Sequence, residues 1–404
     1  MKLGKLCEVI FSGGTPNTSN TEYWDGEFHW LSSGETRNTY IFNTEKTITQ
    51  KGVDNSSTRL AKKNDVVVAS AGQGKTRGQV SYCMIDTYIN QSLISMRADH
   101  KILDPKFLFY NLTSRYNELR TLSDSSSSRG SLTIPILENI DIILPSLKQQ
   151  KAIATILSNY DDLIENNNKR IKILEDMAQK IYKEWFVDFK YPGHETATFK
   201  DTELGKIPKD WKVTKIGSEF ETVLGGTPSR NNLEYWGGKI PWLSSGKTNE
   251  LRIITESEFI TELGLKKSST KLMPKYTTLL AITGATLGQV SMIGTEMCAN
   301  QSVVGIISNK YQEFIFYMVK NNISDLILKA GGAAQQHINK DIVNDMCFIM
   351  PKNSVLENFE TIVKPINDEI FTLLYKNKAL RKIRDSLLPR LMSGEIDVEN
   401  LEIA

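Results

Sequence analysis

A stretch of this chain occurs twice, and the duplication restricts its architecture more than any other property. Residues 13 to 36 read GGTPNTSNTEYWDGEFHWLSSGET and residues 225 to 248 read GGTPSRNNLEYWGGKIPWLSSGKT, agreeing at fifteen of twenty-four positions at a constant offset of 212. The match continues through Ile48-Thr49 with Ile260-Thr261 and Ser56-Ser57-Thr58 with Ser268-Ser269-Thr270. A two-residue deletion then moves the offset, so that Gly78-Gln79-Val80-Ser81 matches Gly288-Gln289-Val290-Ser291 and Asn90-Gln91-Ser92 matches Asn300-Gln301-Ser302. A repeat of this length is one folding unit used twice, so the 404 residues divide into two similar heads and whatever joins them.

Each copy ends in an apolar, strand-like run closed by proline, IDIILP to Pro145 and MCFIMP to Pro351, and a helical pattern follows each. In the first, Ile153, Ile156, Tyr160, Leu163, Ile171, Leu174, Ala178, Ile181 and Trp185 recur by threes and fours with one slip near Asn167. In the second, at an offset of 206, Phe359, Ile362, Ile366, Leu380, Leu387 and Leu391 keep most of the stripe, while Ile370, Leu374 and Ile383 cover its weak points at Glu369, Asn377 and Arg384. Both predict amphipathic helices with a coiled-coil-like seam. A helix of about 36 residues runs roughly 54 Å, more than one head needs as a cover, so the two stripes are expected to pack on each other, antiparallel. Tyr191-Pro192-Gly193 is expected to break the first helix and Ser393-Gly394 to end the second. The second copy has a lead-in, ELGKIPKDWKV, that the first lacks; the terminal EIDVENLEIA is expected to fill the equivalent place beside Met1.

Composition excludes more than it assigns. No apolar run is long enough to span a bilayer, and MKLGKLCEVI lacks the apolar core and cleavage site of a secretory signal, so a cytoplasmic, membrane-free protein is expected. Cys7, Cys83, Cys298 and Cys347 form no CxxC pair, and His29, His100, His194 and His337 are scattered, which argues against a disulfide framework and against a metal site. The net charge of +2 identifies no partner, because a locally basic surface can be balanced elsewhere. There is no P-loop, GxSxG, HExxH or repeated carboxylate constellation, and Asp104-Pro105-Lys106 reads as a helix start rather than a methyltransferase signature. No catalytic residue is assigned.

The repeated polar loops suit a binding surface instead. Gly13-Gly14-Thr15-Pro16 and Gly225-Gly226-Thr227-Pro228 can bring backbone NH groups close to a phosphate, although the same glycines equally suit plain turns. Ser32, Ser33 and Glu35, and their counterparts Ser244, Ser245 and Lys247, follow Trp30-Leu31 and Trp242-Leu243, where the tryptophans read as core rather than as base-stacking groups. A third loop holds Gln73, Lys75, Thr76 and Arg77 in the first copy and Thr286 in the second; a fourth holds Arg129 and Ser131 against Gln335, Gln336 and His337. Gln and Arg can contact adenine and guanine edges bidentately, while Lys and Ser suit phosphates. A frame that repeats under loop tips that vary is what reading two related but unequal half-sites requires.

Taken together, the two GGTP…YW…WLSSG heads, LPSLKQQKAIATIL, AQKIYKEWFVDF, GKIPKDWKV and LRKIRDSLLPRLMSGEI resemble the specificity subunit of Type I restriction-modification systems over essentially the whole chain. The resemblance implies an α/β (mixed α+β) protein with a pseudo-twofold internal repeat: a target-recognition domain at 1–147, a long spacer helix at 148–190, a linker at 191–212, a second target-recognition domain at 213–352, a second long helix at 353–395 and a tail at 396–404. It further implies double-stranded DNA as ligand, each head reading one half of a bipartite site, and two partner adenine methyltransferase subunits that carry S-adenosylmethionine, this chain holding no cofactor. A motor-nuclease restriction subunit would join them. The helix pair would then act as a ruler, so that adding four residues to both helices changes the gap between half-sites. An autonomous modification enzyme, or a purely structural scaffold, are the competing classes.

Overall fold

A computed structural model describes residues 1–72, 74–124, 130–330 and 338–399. It forms two compact units, Met1–Glu165 with Lys378–Ala404, and Asn166–Asn377, so each holds one head and a stretch of both long helices. Helices and strands are mixed in each head, and no helix among the described residues is long and apolar enough to cross a membrane.

The first head is built on a five-stranded sheet in the order Cys7–Ser12, Leu93–Ala98, Val66–Ala69, Val80–Cys83, Tyr40–Ile41, antiparallel except for the last pair. Its central strand, Val66-Val67-Val68-Ala69, is buried on both faces, which explains why it is an unbroken apolar run rather than an alternating one. Beside it lies a smaller sheet, ordered Lys46–Ile48, Trp24–Leu31, Thr87–Ile89, Arg59–Ala61. The second head repeats both orders: Glu221–Leu224, Val303–Ile307, Thr278–Ala281, Val290–Ile293, Arg252–Ile253, and Glu258–Ile260, Trp236–Leu243, Met297–Ala299, Leu272–Met273. Helix Pro105–Ser114 starts where Asp104 caps the NH of Phe107 at 2.9 Å with proline in the first turn. It gives way to Tyr116–Asp124 at Arg115, whereas the second copy runs as one helix, Gln312–Ala330.

The long helices span Leu147–Tyr182 and Asn353–Met392. In the second unit Asn167 donates to Asn377 at 2.8 Å and Arg170 pairs with Glu369 at 2.8 Å, so the chain directions oppose. The seam differs from the predicted stripe. Leu163 is 51% and Ile362 44% exposed, while Ile164 and Val363 are buried in their place, and Ile383 also faces out. The spacing is an unbroken alternation of threes and fours, Ala154, Leu157, Asp161, Ile164 on the first helix and Phe359, Val363, Ile366, Ile370, Leu373, Asn377 on the second. A purely apolar reading slips because the seam passes through polar residues, which in paired helices fix register at some cost in stability.

Each head is clamped to its helices through a buried polar junction. In the first unit Asp161 accepts Tyr110 Oη at 2.6 Å and pairs with Arg384 of the second long helix, with Tyr40 Oη 3.4 Å from Tyr110. In the second, Arg252 donates to Asn367 at 2.8 Å, Tyr317 at 3.2 Å and Glu175 at 3.3 Å, and stacks on Phe316 at 3.9 Å.

Two boundaries differ from expectation. The first helix leaves α geometry in a π-turn at Lys183–Val187, before Tyr191-Pro192-Gly193, and Phe189 takes a φ of 56°. Residues 191–212 are more than a connection: Phe199–Thr202 and Gly205–Pro208 pair as a hairpin, and Ile207 and Trp211 enter the core of the second unit. In the first unit Ile396 and Val398 of the tail join the core that holds Leu3 and Leu6, and Met1 bonds Ile142.

Candidate nucleic-acid interface

Three loops far apart in sequence converge in each head. In the first, Trp30 Nε1 donates to Gly14 O at 3.3 Å, Gly14 NH donates to Ile89 O at 3.0 Å, and Thr15 Oγ1 donates to Gln91 Oε1. A Cβ on Gly13 would lie 1.9 Å from Ile89 O and one on Gly14 2.1 Å from Ser57 Oγ, so only glycine permits the approach. The second head repeats this: Trp242 to Gly226 O at 3.0 Å, Gly226 NH to Ala299 O at 2.8 Å, Thr227 to Gln301 at 2.5 Å, and Ser269 packed against Gly226. The NH groups of Gly14 and Gly226 are therefore already donated within the head and do not face an anion. What the cluster presents outward is Gln91 and Ser57, or Gln301 and Ser269, all exposed, beside a half-buried threonine. These four side chains are not among the contacts that residue type predicts, although they repeat at fixed offsets, 212 for the serines and 210 for the glutamines.

A second cluster gathers the Ser32 and Ser244 turns. Thr36 Oγ1 bonds Ser33 O and Gln79, while Ser81 Oγ bonds Thr36 O and Asn38 O; in the other head Thr248 Oγ1 bonds Ser245 O and Gln289, and Ser291 Oγ bonds Thr248 O. The repeated GQVS is thus a brace for the turn. Glu35 is 3% exposed and accepts from Ser32 NH, Ser32 Oγ and Glu45 NH, so its carboxylate is spent inside the head. Lys247, at the same position, bonds Glu250 and Thr255, and Ser257 Oγ caps the NH of Ser244. Ser32, Ser33, Ser244 and Ser245 remain partly accessible.

The variable loop is tied down rather than free. Arg77 donates to Gly130 O and Asp124 at 2.5 Å each, Tyr116 Oη to Lys75 O, and Arg120 to Gly74 O. Arg77 is therefore an internal strut, while Lys75 is exposed and Thr76 half-buried. Ser131 is half-buried and Thr286 closes a short turn by donating to Thr283 O. Gln73, Arg129, Gln335, Gln336 and His337 lie outside the described residues. Burial pushes the thiols of Cys7 and Cys298 up to about 12 and about 11, away from the range of reactive thiolates.

The sequence profile of the Type I restriction modification DNA specificity domain matches residues 1–176 and 208–377. The chain is 27% identical over 408 residues to the Type I restriction enzyme MjaIX specificity subunit of Methanocaldococcus jannaschii, covering 99% of this chain and 94% of that one. It is 24% identical over 416 residues to the HindI specificity subunit of Haemophilus influenzae, covering 86% and 89%. Its fold is similar to the crystal structure of a Type I restriction-modification S subunit from M. genitalium, at a TM-score of 0.61 and 16% identity over 97% and 95% of the two chains. Duplicated heads, paired helices and a profile that spans both copies lead to one assignment: this chain belongs to the family of Type I restriction-modification DNA specificity subunits.

Proposed function

We propose that each head reads one half of a bipartite DNA site and that the chain, itself non-catalytic, directs partner adenine methyltransferase and restriction subunits to it. One observation carries this reading: in both heads an exposed serine is seated on the second glycine of the GGTP turn and an exposed glutamine is bonded by the threonine that follows it, while the loops around them differ between heads. A glutamine amide can bond both N6 and N7 of adenine, and short hydroxyls suit phosphates or base edges. S-adenosylmethionine is then bound by the methyltransferase, and the partner enters as two copies, one for each head.

Mapping modified adenines in a host carrying this gene with its methyltransferase tests the reading. The expected result is one two-part motif, lost when either partner is omitted. Methyl transfer by the purified chain alone would instead favour an autonomous enzyme.

A further inference from the structure

We infer that the two heads hold DNA unequally, the second gripping the phosphates through a rim of lysines, Lys239, Lys266, Lys267 and Lys271, that borders its loop cluster. This rests on the reading of the heads as DNA-binding. Lys239 lies in strand Trp236–Leu243; Lys266 ends the short helix Glu262–Lys266 and Lys267 caps it. Gly238 packs against Ile260 O and Thr261, which brings the strand onto the start of that helix. Lys267 and Lys271 bracket Ser268-Ser269-Thr270, the segment seated on Gly226 within the cluster.

All four lysines are exposed, and none forms an ion pair among the described residues. Glu258, the acid on the neighbouring strand, is already taken by both guanidinium nitrogens of Arg230 at 2.6 and 2.8 Å. Glu234, next to strand Trp236–Leu243, and Glu262, in helix Glu262–Lys266, offset part of the rim's charge. The equivalent positions of the first head are Glu27, Asp54, Asn55 and Arg59, with Glu22 and Asp25 nearby; Lys51 there faces Glu22 at 3.5 Å and Arg59 lies over the Phe11 ring at 4.2 Å. Over the ten positions 18, 22, 25, 27, 46, 50, 51, 54, 55 and 59 the first head has three basic and four acidic residues, and the second five basic and three acidic. The frame is the same, but the charge changes sign.

Counterion release makes this measurable, because each phosphate contact adds about 0.9 to the slope of log affinity against log salt. The chain assembled with its methyltransferase is titrated with a duplex bearing the mapped site across a salt series. The variant K239A/K266A/K267A/K271A is expected to bind with a slope shallower by about three to four, and E27K/D54K/N55K in the first head to steepen it by about three. An unchanged slope in the first variant overturns the inference while leaving the DNA reading intact. Loss of the methyltransferase instead, with DNA binding unaltered, makes the rim a protein-docking face and also overturns it. Absence of salt-dependent duplex binding by the unmodified assembly defeats the underlying reading itself.

Discussion

The two head–helix junctions sit at equivalent points of the repeat, yet they carry their charge on different elements. Asp161 corresponds to Asn367, Tyr110 to Tyr317 and Tyr40 to Arg252. In the first unit the helices supply both carboxylate and guanidinium, and the head offers only phenols. In the second the head supplies the guanidinium and the helices answer with Asn367 and Glu175. The difference teaches that duplication preserved where polar groups are buried and released which chain segment provides them. Either solution satisfies a buried charge, but half of one combined with half of the other does not.

The largest expected effect tests that statement directly. Arg252→Ala removes a guanidinium whose side chain is 2% exposed and should cost about 3–5 kcal/mol in chemical denaturation of the full chain. Arg384→Ala should cost less, roughly 1–3 kcal/mol, because Asp161 keeps the Tyr110 hydroxyl as a donor. Equal costs would break the comparison.

A second asymmetry concerns protons. In the second unit Glu360 accepts the NH groups of Phe314 and Glu313 at 2.9 and 3.3 Å beside the buried Glu313, and burial, followed by the charge of Glu313, pushes its carboxyl up to about 9. The first unit has Lys106 and Ala154 at these positions. The folded chain thus keeps a proton that the unfolded chain releases near the ordinary value of 4.5. Its stabilising contribution is complete below that value and is lost as pH rises through about 9. Glu360→Gln should raise the melting temperature at pH 8, by about 2–4 °C for each 1 kcal/mol relieved, and flatten its decline between pH 5 and 9. Thermal melts across that range suffice, and a lower melting temperature for the variant at pH 8 contradicts a protonated Glu360 in the folded chain.

For the interface, Gln91→Ala and Gln301→Ala should each relax methylation at one half-site only, by about 1–3 kcal/mol of discrimination, read as roughly tenfold or greater loss of preference at one position. Relaxation of both half-sites by either change would contradict a one-head, one-half-site division. The smallest contrast is in the turns. Glu35→Ala removes three accepted hydrogen bonds and should cost about 1 kcal/mol, whereas Lys247→Ala removes a partly exposed pair worth about 0.2–1 kcal/mol.

The architecture was largely legible because duplication doubles the signals: two GGTP turns and two helical stripes mark their elements independently, whereas of the two proline-closed runs only Cys347–Met350 forms a strand and IDIILP makes a single bridge, Asp141 to Lys2. The seam was misread where it carries charge, since a search for apolar residues steps past Asp161 to Leu163. Residues 191–212 passed for a linker because Gly205 and Pro208 punctuate them, while the burial that orders them comes from Ile207 and Trp211 packing on distant parts of the chain. The site was legible only in outline. Residue type suggested Glu35, Arg77 and Lys247 as contacts, but composition does not reveal that a side chain is already committed to Ser32, Gly130 or Glu250.

The junctions also bear on how such a chain could be shuffled to make new recognition proteins. A chimera cut where the first head meets its helix, near residue 147, would import Tyr40 and Tyr110 without the Asp161 and Arg384 that complete them. A cut within the helices, between Glu165 and Asn166 and again between Asn377 and Lys378, keeps every member of each junction together. Exchange of DNA specificity by recombination should therefore succeed most often when the crossover falls inside the helices rather than at their ends.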